Sequence, residues 1–92
     1  MGSIETIEVR TSSQQSQRLE NEMAEIVEKV LNMEEVSAIK LYHKVRLKSD
    51  YLVVLIFKKG FTEIQTGALG ALLRATLKDY GIVYHNHWNE IM

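Results

Sequence analysis

Residues 51–58, Tyr-Leu-Val-Val-Leu-Ile-Phe-Lys, form an apolar run of strand length. Side chains along a strand alternate between two faces. Tyr51, Val53, Leu55 and Phe57 therefore point one way and Leu52, Val54 and Ile56 the other. A strand apolar on both sides needs cover on both sides. A 92-residue chain forms one domain, read here as spanning residues 1–92. A domain this small buries only about 60–65% of the surface its unfolded chain exposes. One side of the run can lie on the chain's own helices, and the other calls for a second copy or a partner.

The flanking segments place that strand in a pattern. Ile4–Arg10 alternates, with Glu5, Ile7 and Val9 on one face and Thr6, Glu8 and Arg10 on the other. Thr11, Ser12 and Ser13 offer capping hydroxyls to a helix running from about Ser13 to Asn32. Its stripe is Leu19, Met23, Ile26, Val27, Val30 and Leu31. Val36–Lys48 alternates again: Ile39, Leu41, His43, Val45 and Leu47 share one face, and Lys40, Tyr42, Lys44, Arg46 and Lys48 the other. Lys48-Ser49-Asp50 supplies turn residues, so this segment and 51–58 should form an antiparallel hairpin. A second helix over Phe61–Tyr80 ends at Gly81, Ile82–Trp88 is a last strand, and 89–92 a tail.

The order βαββαβ is that of a ferredoxin-like α+β sandwich: a four-stranded antiparallel sheet with two helices on one face. The usual strand order for this arrangement, 4-1-3-2, puts the apolar strand in the centre and the charged one at an edge, where charge blocks unwanted pairing. The uncovered sheet face then marks an interface. Leu52, Val53, Val54, Ile56, Tyr42, Tyr84 and Trp88 are its candidate residues, since either register of strand 51–58 leaves apolar groups there. The expected partner is a second copy, giving a homodimer or higher homo-oligomer, or another protein.

Composition removes several classes of function. There is no cysteine, hence no disulfide, thiolate metal site or thiol nucleophile. The net charge of −1 and the pI near 6.3 give no overall attraction to nucleic acid or to anionic membrane. No apolar run approaches the roughly 20 residues that span a bilayer, and no signal peptide opens the chain. A cytoplasmic location is expected. Met1-Gly2-Ser3-Ile4-Glu5-Thr6 fits a loose myristoylation pattern, and residues 1–3 also read as a tag remnant.

Three features could carry chemistry. His85 and His87, two apart on a strand, share a face as paired metal ligands do, and a divalent metal is the one cofactor considered; otherwise none is expected. His43, the remaining histidine and the third candidate ligand, falls on the opposite edge strand, so only two chains joined edge to edge would bring it to the other two; its plain reading is a satisfied, partly buried imidazole. Lys40, Tyr42, Lys44, Arg46 and Lys48 make a basic stripe with one aromatic, the candidate surface for RNA, although strand 51–58 lacks the RNA-recognition signature. Thr66-Gly67-Ala68-Leu69-Gly70-Ala71 is a small-residue run inside a helix. It fits neither a dinucleotide fingerprint nor a P-loop, and reads as close packing of the helix against its neighbour.

The hairpin Val36-Ser37-Ala38-Ile39-Lys40-Leu41-Tyr42-His43-Lys44-Val45-Arg46, followed by Tyr51-Leu52-Val53-Val54, resembles the central hairpin in the cytosolic domains of cation diffusion facilitator transporters. Val83-Tyr84-His85 is similar to their final strand. The resemblance implies a ferredoxin-like dimer that binds metal, with His85 as a ligand. No nucleophile elbow, His-Glu-x-x-His motif or paired catalytic acids appear. The expected function is a non-enzymatic, self-associating binding, regulatory or assembly module. Metal-responsive association through His85 and His87 is the first alternative, and RNA binding the second.

Overall fold

The computed structural model describes residues 2–61 and 63–92. Met1, which opens the myristoylation pattern, and Thr62, inside the expected second helix, lie outside the described residues. The chain runs β1 (Ser3–Arg10), α1 (Ser16–Val30), β2 (Val36–His43), β3 (Asp50–Phe57), α2 (Glu63–Leu77), a 3-10 turn (Lys78–Tyr80) and β4 (Ile82–Asn89). One antiparallel sheet of order β2-β3-β1-β4 carries the two helices, the ferredoxin-like arrangement expected.

Register turns the alternation of each strand into two sheet faces. Across the centre, Ile7 pairs with Val53, Val9 with Tyr51 and Glu5 with Leu55. These side chains face the helices. Ile7, Val53 and Leu55 are fully buried there, joined by Leu19, Met23, Ile26 and Val30 of α1 and by Leu69, Leu73 and Leu77 of α2. Spacings of three and four residues bring each helical set onto one stripe. Each such side chain contributes roughly 1.5–3 kcal/mol over leaving it exposed.

On the opposite face Ile4 pairs with Ile56 and Trp88, Thr6 with Val54 and Asn86, and Glu8 with Leu52 and Tyr84. Lys40 and Tyr42 extend these rows through Val54 and Leu52. Leu52, Val54 and Ile56 are half-buried, while Tyr42, Tyr84 and Trp88 are about half exposed. Val53 does not belong among the interface candidates. Its parity places it with Ile7 in the core.

Several boundaries move for local reasons. The β2 strand stops at His43. Lys44 N–H donates to the Asp50 carbonyl and Asp50 N–H to that of Leu47, which folds residues 44–49 into an exposed loop. Helix α1 begins later than its hydroxyls suggest: Gln15 is the N-cap, with no side-chain capping bond. Thr11 instead donates its hydroxyl to the Tyr80 carbonyl at 2.6 Å, and Ser16 donates to that of Ser13. The tail begins one residue later than expected, because Asn89 pairs with Ser3 and Glu90 N–H donates to the Gly2 carbonyl.

Gly81 connects the 3-10 turn to β4 in extended backbone. It is glycine for reasons of space, since a Cβ there would strike the carbonyl oxygen of Arg10. The close approach lets β4 enter the sheet in register with β1.

A carboxylate at position 53 would sit unpaired inside the apolar layer. Val53→Asp should cost about 4 kcal/mol or more, a large part of the roughly 5–10 kcal/mol expected for a domain of this size. Urea denaturation followed by circular dichroism should show it largely unfolded in buffer.

Candidate functional site

Glu5 occupies a position that the pattern of β1 reserves for an apolar side chain. It alternates with Ile7 and Val9, faces the helices, and is only 1% exposed. A buried carboxylate is costly unless its oxygens receive hydrogen bonds. The β4 strand supplies them. Register sets His85 beside Ile7 and His87 beside Glu5, both toward the helices. His85 Nε2 lies 2.9 Å from one Glu5 oxygen and His87 Nδ1 3.2 Å from the other. His87 Nε2 in turn is 3.4 Å from the side-chain amide oxygen of Asn89.

The remaining wall of this site is helix α2. Gly70 approaches so closely that a Cβ on it would stand 2.7 Å from His85 Nε2 and 2.8 Å from Glu5 Oε1. The small-residue run is thus close helix–sheet packing, and what it packs on is the polar cluster. Both imidazoles keep a share of exposure, 17% and 27% of their side-chain surfaces, at the open β4 edge. The carboxylate below them stays buried.

With Glu5 as a carboxylate, His85 donates from Nε2, because a carboxylate only accepts. His87 brings Nδ1 to 3.2 Å of the other oxygen, and its hydrogen bond runs from Nε2 to the Asn89 amide oxygen. A neutral His85 then carries its lone pair on Nδ1, the nitrogen that Glu5 does not engage. The same logic governs carboxylate–imidazole pairs in general acid–base catalysis.

The other expected sites come apart. His43, expected to be partly buried, is exposed at the end of the opposite edge. Its Nδ1–H donates to the Lys44 carbonyl at 3.0 Å, and its ring meets Tyr51 edge-on. Within one chain the sheet order holds it on the opposite edge from His85 and His87. Among the described residues no three metal-ligating side chains form a group that could hold an ion. Both imidazoles of the cluster already address the carboxylate itself. The basic stripe is not continuous either, for only Lys40 and Tyr42 lie on β2, while Arg46 and Lys48 sit in the loop. Lys44 turns back to Asp50 at 3.2 Å and to Glu8 at 3.8 Å.

Tyr51 and Glu20 form a smaller polar contact where α1 crosses the hairpin. Burial pushes the Tyr51 phenol above its ordinary 10.0. The Glu20 carboxylate, as hydrogen-bond partner and as nearby charge, pushes the same way, while Ser16 pulls it back. Glu5 itself escaped the sequence reading, which counted it among the core-facing residues of its strand without seeing a partner. A carboxylate between Ile7 and the chain start, alternating with core residues, was the available signal.

Comparison with known proteins places the fold. Neither a protein-family model nor a curated protein matches this sequence. Solved structures do match over nearly the whole chain. The cofactor-independent oxygenase SnoaB from Streptomyces nogalater superposes with a TM-score of 0.74 at 9% identity, covering 99% of this chain and 93% of that one. A candidate antibiotic biosynthesis monooxygenase from Nitrosomonas europaea gives 0.77 at 6% identity, covering 98% and 99%. Another from Bordetella bronchiseptica gives 0.69 at 11% identity, each chain covered completely. At such identities the likeness establishes the ferredoxin-like fold.

These neighbours overturn the expectation of a non-enzymatic binding or assembly module, because chains of this architecture and extent bear oxygenase names. The metal-responsive alternative and the likeness to cation diffusion facilitators fall with it, as does RNA binding. No local motif marks the cluster, because its carboxylate and its imidazoles lie about eighty positions apart in the chain. No helix among the described residues is long and apolar enough to cross a membrane.

The raised Tyr51 phenol has a stability consequence. The folded state holds that proton more strongly than the unfolded chain does. The stability it contributes is therefore complete below pH 10 and is lost as pH rises from there through the raised value. In an alkaline titration read by phenolate absorbance, Tyr51 should ionise after an ordinary tyrosine, and Glu20→Gln should bring it back toward the ordinary value. Tyr51→Phe identifies the signal by removing it.

Proposed function

We propose that this chain is an enzyme acting by proton abstraction, an oxygenase of the cofactor-independent kind, with His85 as its base and Glu5 as the group that orients and stabilises it. One observation carries the reading: a carboxylate sealed in the apolar face of a strand, hydrogen-bonded by His85 and approached by His87, two imidazoles that keep a share of exposure. Sites that break the local hydrophobic pattern and compensate it with a dedicated hydrogen-bond set are where function is expected. The oxygenase part rests on fold-level analogy with SnoaB and the other neighbours.

In an oxygenation without a cofactor the substrate itself must supply electrons to dioxygen. The fitting substrates are small carbon or phenol acids whose conjugate bases are electron-rich. His85 Nδ1 takes the proton from the substrate's R–H, leaving the electron pair on R. Dioxygen takes up that pair as a new R–O bond, giving a peroxide anion. The His85 imidazolium then returns its proton to form R–OOH, and the base is regenerated. Glu5 holds the ring in the tautomer with Nδ1 bare and offsets the positive charge while it lasts. His87, 3.2 Å from the second carboxylate oxygen, adds its charge to that of His85 whenever it is protonated.

Oxygen uptake measured with a cyclic β-diketone, a naphthol and a hydroquinone tests this. The wild-type chain should accelerate uptake with at least one of them. His85→Gln and Glu5→Gln should lose about 100-fold of that acceleration while keeping the wild-type circular dichroism. No acceleration with any compound, or variants as active as wild type, would refute the assignment.

We further propose that two copies pair through the open sheet face. The charges at one end of that face neutralise one another: Arg10 and Lys44 stand 3.5 and 3.2 Å from Asp50, and Lys44 also reaches Glu8. The apolar rows of Ile4, Ile56, Leu52, Val54 and Trp88 are then free to meet an identical face without like-charge repulsion. In sedimentation velocity the wild-type chain should run as a dimer. Val54→Asp should run as a folded monomer, and an unchanged mass in Val54→Asp would count against pairing through this face.

A further inference from the structure

Gly70 lies on α2, outside any strand and away from every proton transfer, yet it makes the closest approach to the cluster. A Cβ at position 70 would stand 2.7 Å from His85 Nε2, 2.8 Å from Glu5 Oε1 and 2.9 Å from the Glu5 carboxyl carbon. Real Cβ atoms do not come under 3.0 Å of other heavy atoms, so something would have to shift. Neither neighbour is the loose end of a free side chain. Glu5 is 1% exposed, and its Oε2 is hydrogen-bonded to His85 Nε2 at 2.9 Å while His87 Nδ1 stands 3.2 Å from Oε1. The His85 ring is held at that nitrogen by the buried carboxylate, on a strand whose register sets it beside Ile7. One turn earlier, Gly67 offers a contrast: a Cβ there meets Glu5 Oε1 at 3.9 Å, an ordinary contact. Both glycines lie inside the same helix, where alanine is the better helix former.

We propose that Gly70 is a positioning residue for His85: the bare face of α2 at this point holds the His85 Nε2–H···Glu5 hydrogen bond in place and thereby keeps Nδ1 free as the base. The assignment of Nδ1 as base rests on the function proposed above, whereas the effect of Gly70 on the imidazole does not. A methyl group at 70 takes the space where Nε2 and the carboxylate meet. The ring must rotate or the carboxylate withdraw, and the preference for the Nε2–H tautomer goes with their bond.

Long-range proton–nitrogen correlation spectra of uniformly labelled protein read the tautomer of each histidine. Wild type and Gly67→Ala should both show His85 protonated at Nε2 and bare at Nδ1. Gly70→Ala should show this pattern lost to a mixture of tautomers, although helix propensity alone predicts that both alanine variants gain stability. Oxygen uptake on the same proteins should fall about 10-fold or more in Gly70→Ala, in keeping with the sensitivity of catalysis to small misplacements, and stay within about twofold in Gly67→Ala. The proposal is overturned if Gly70→Ala keeps the wild-type His85 pattern, if Gly67→Ala disturbs it equally, or if wild type lacks it. Wild type without oxygen uptake would refute the proposed function and leave the spectra to decide the role of Gly70. Should Gly70→Ala not fold, combining it with Glu5→Asp shortens the carboxylate by one methylene and returns the space. Recovery of the folded spectrum supports the contact, and no recovery overturns it.

Discussion

The antiparallel pairing of β1 with β3 in the middle of the sheet is the constraint on which everything else depends. It fixes parity for both central strands at once. With Ile7 opposite Val53, every odd-numbered residue of β1 from Glu5 to Val9 faces the helices, and every even one faces out. A slip of one residue would turn the whole apolar set to solvent. That parity also carries Glu5 inward, and it passes across β1 to β4, where it places both histidines over the carboxylate. The site is thus a consequence of core register, with no separate device to bring its members together.

The fold was legible because its largest signals are periodic. Strand 51–58 declared itself central by being apolar on both faces, and the Leu19–Val30 stripe could belong only to a helix. Boundaries read less well where hydrogen bonds override pattern. The alternation of β2 continues in sequence to Lys48, but the backbone bonds of Lys44 and Asp50 close the hairpin first. The hydroxyls before α1 look like caps, yet Thr11 spends its own on the Tyr80 carbonyl. Val53 and Val54 could not be assigned to sheet faces without register, for alternation gives two faces and does not name them.

The candidate site was half legible. That His85 and His87 share a face followed from their spacing alone, and the Gly67–Gly70 run announced a close approach. What they approach could not be read, because Glu5 precedes the histidines by about eighty positions and alternation with Ile7 and Val9 does not name a partner. The pairing of β1 with β3 makes its face the buried one, and that of β1 with β4 brings the histidines to it. Metal binding was the chemical reading of two histidines taken by themselves. Seen with Glu5, the same pair stands over a buried carboxylate.

Both histidines sit on β4, an edge strand held in the sheet by β1 alone. Edge elements open locally at less free energy than the global transition needs. When β4 lifts away, Glu5 loses the contacts of both imidazoles and meets water, which rehydrates its charge and eases the separation. The paired state of the carboxylate is therefore narrower than the folded state, and its lifetime is set by how firmly β4 closes over it.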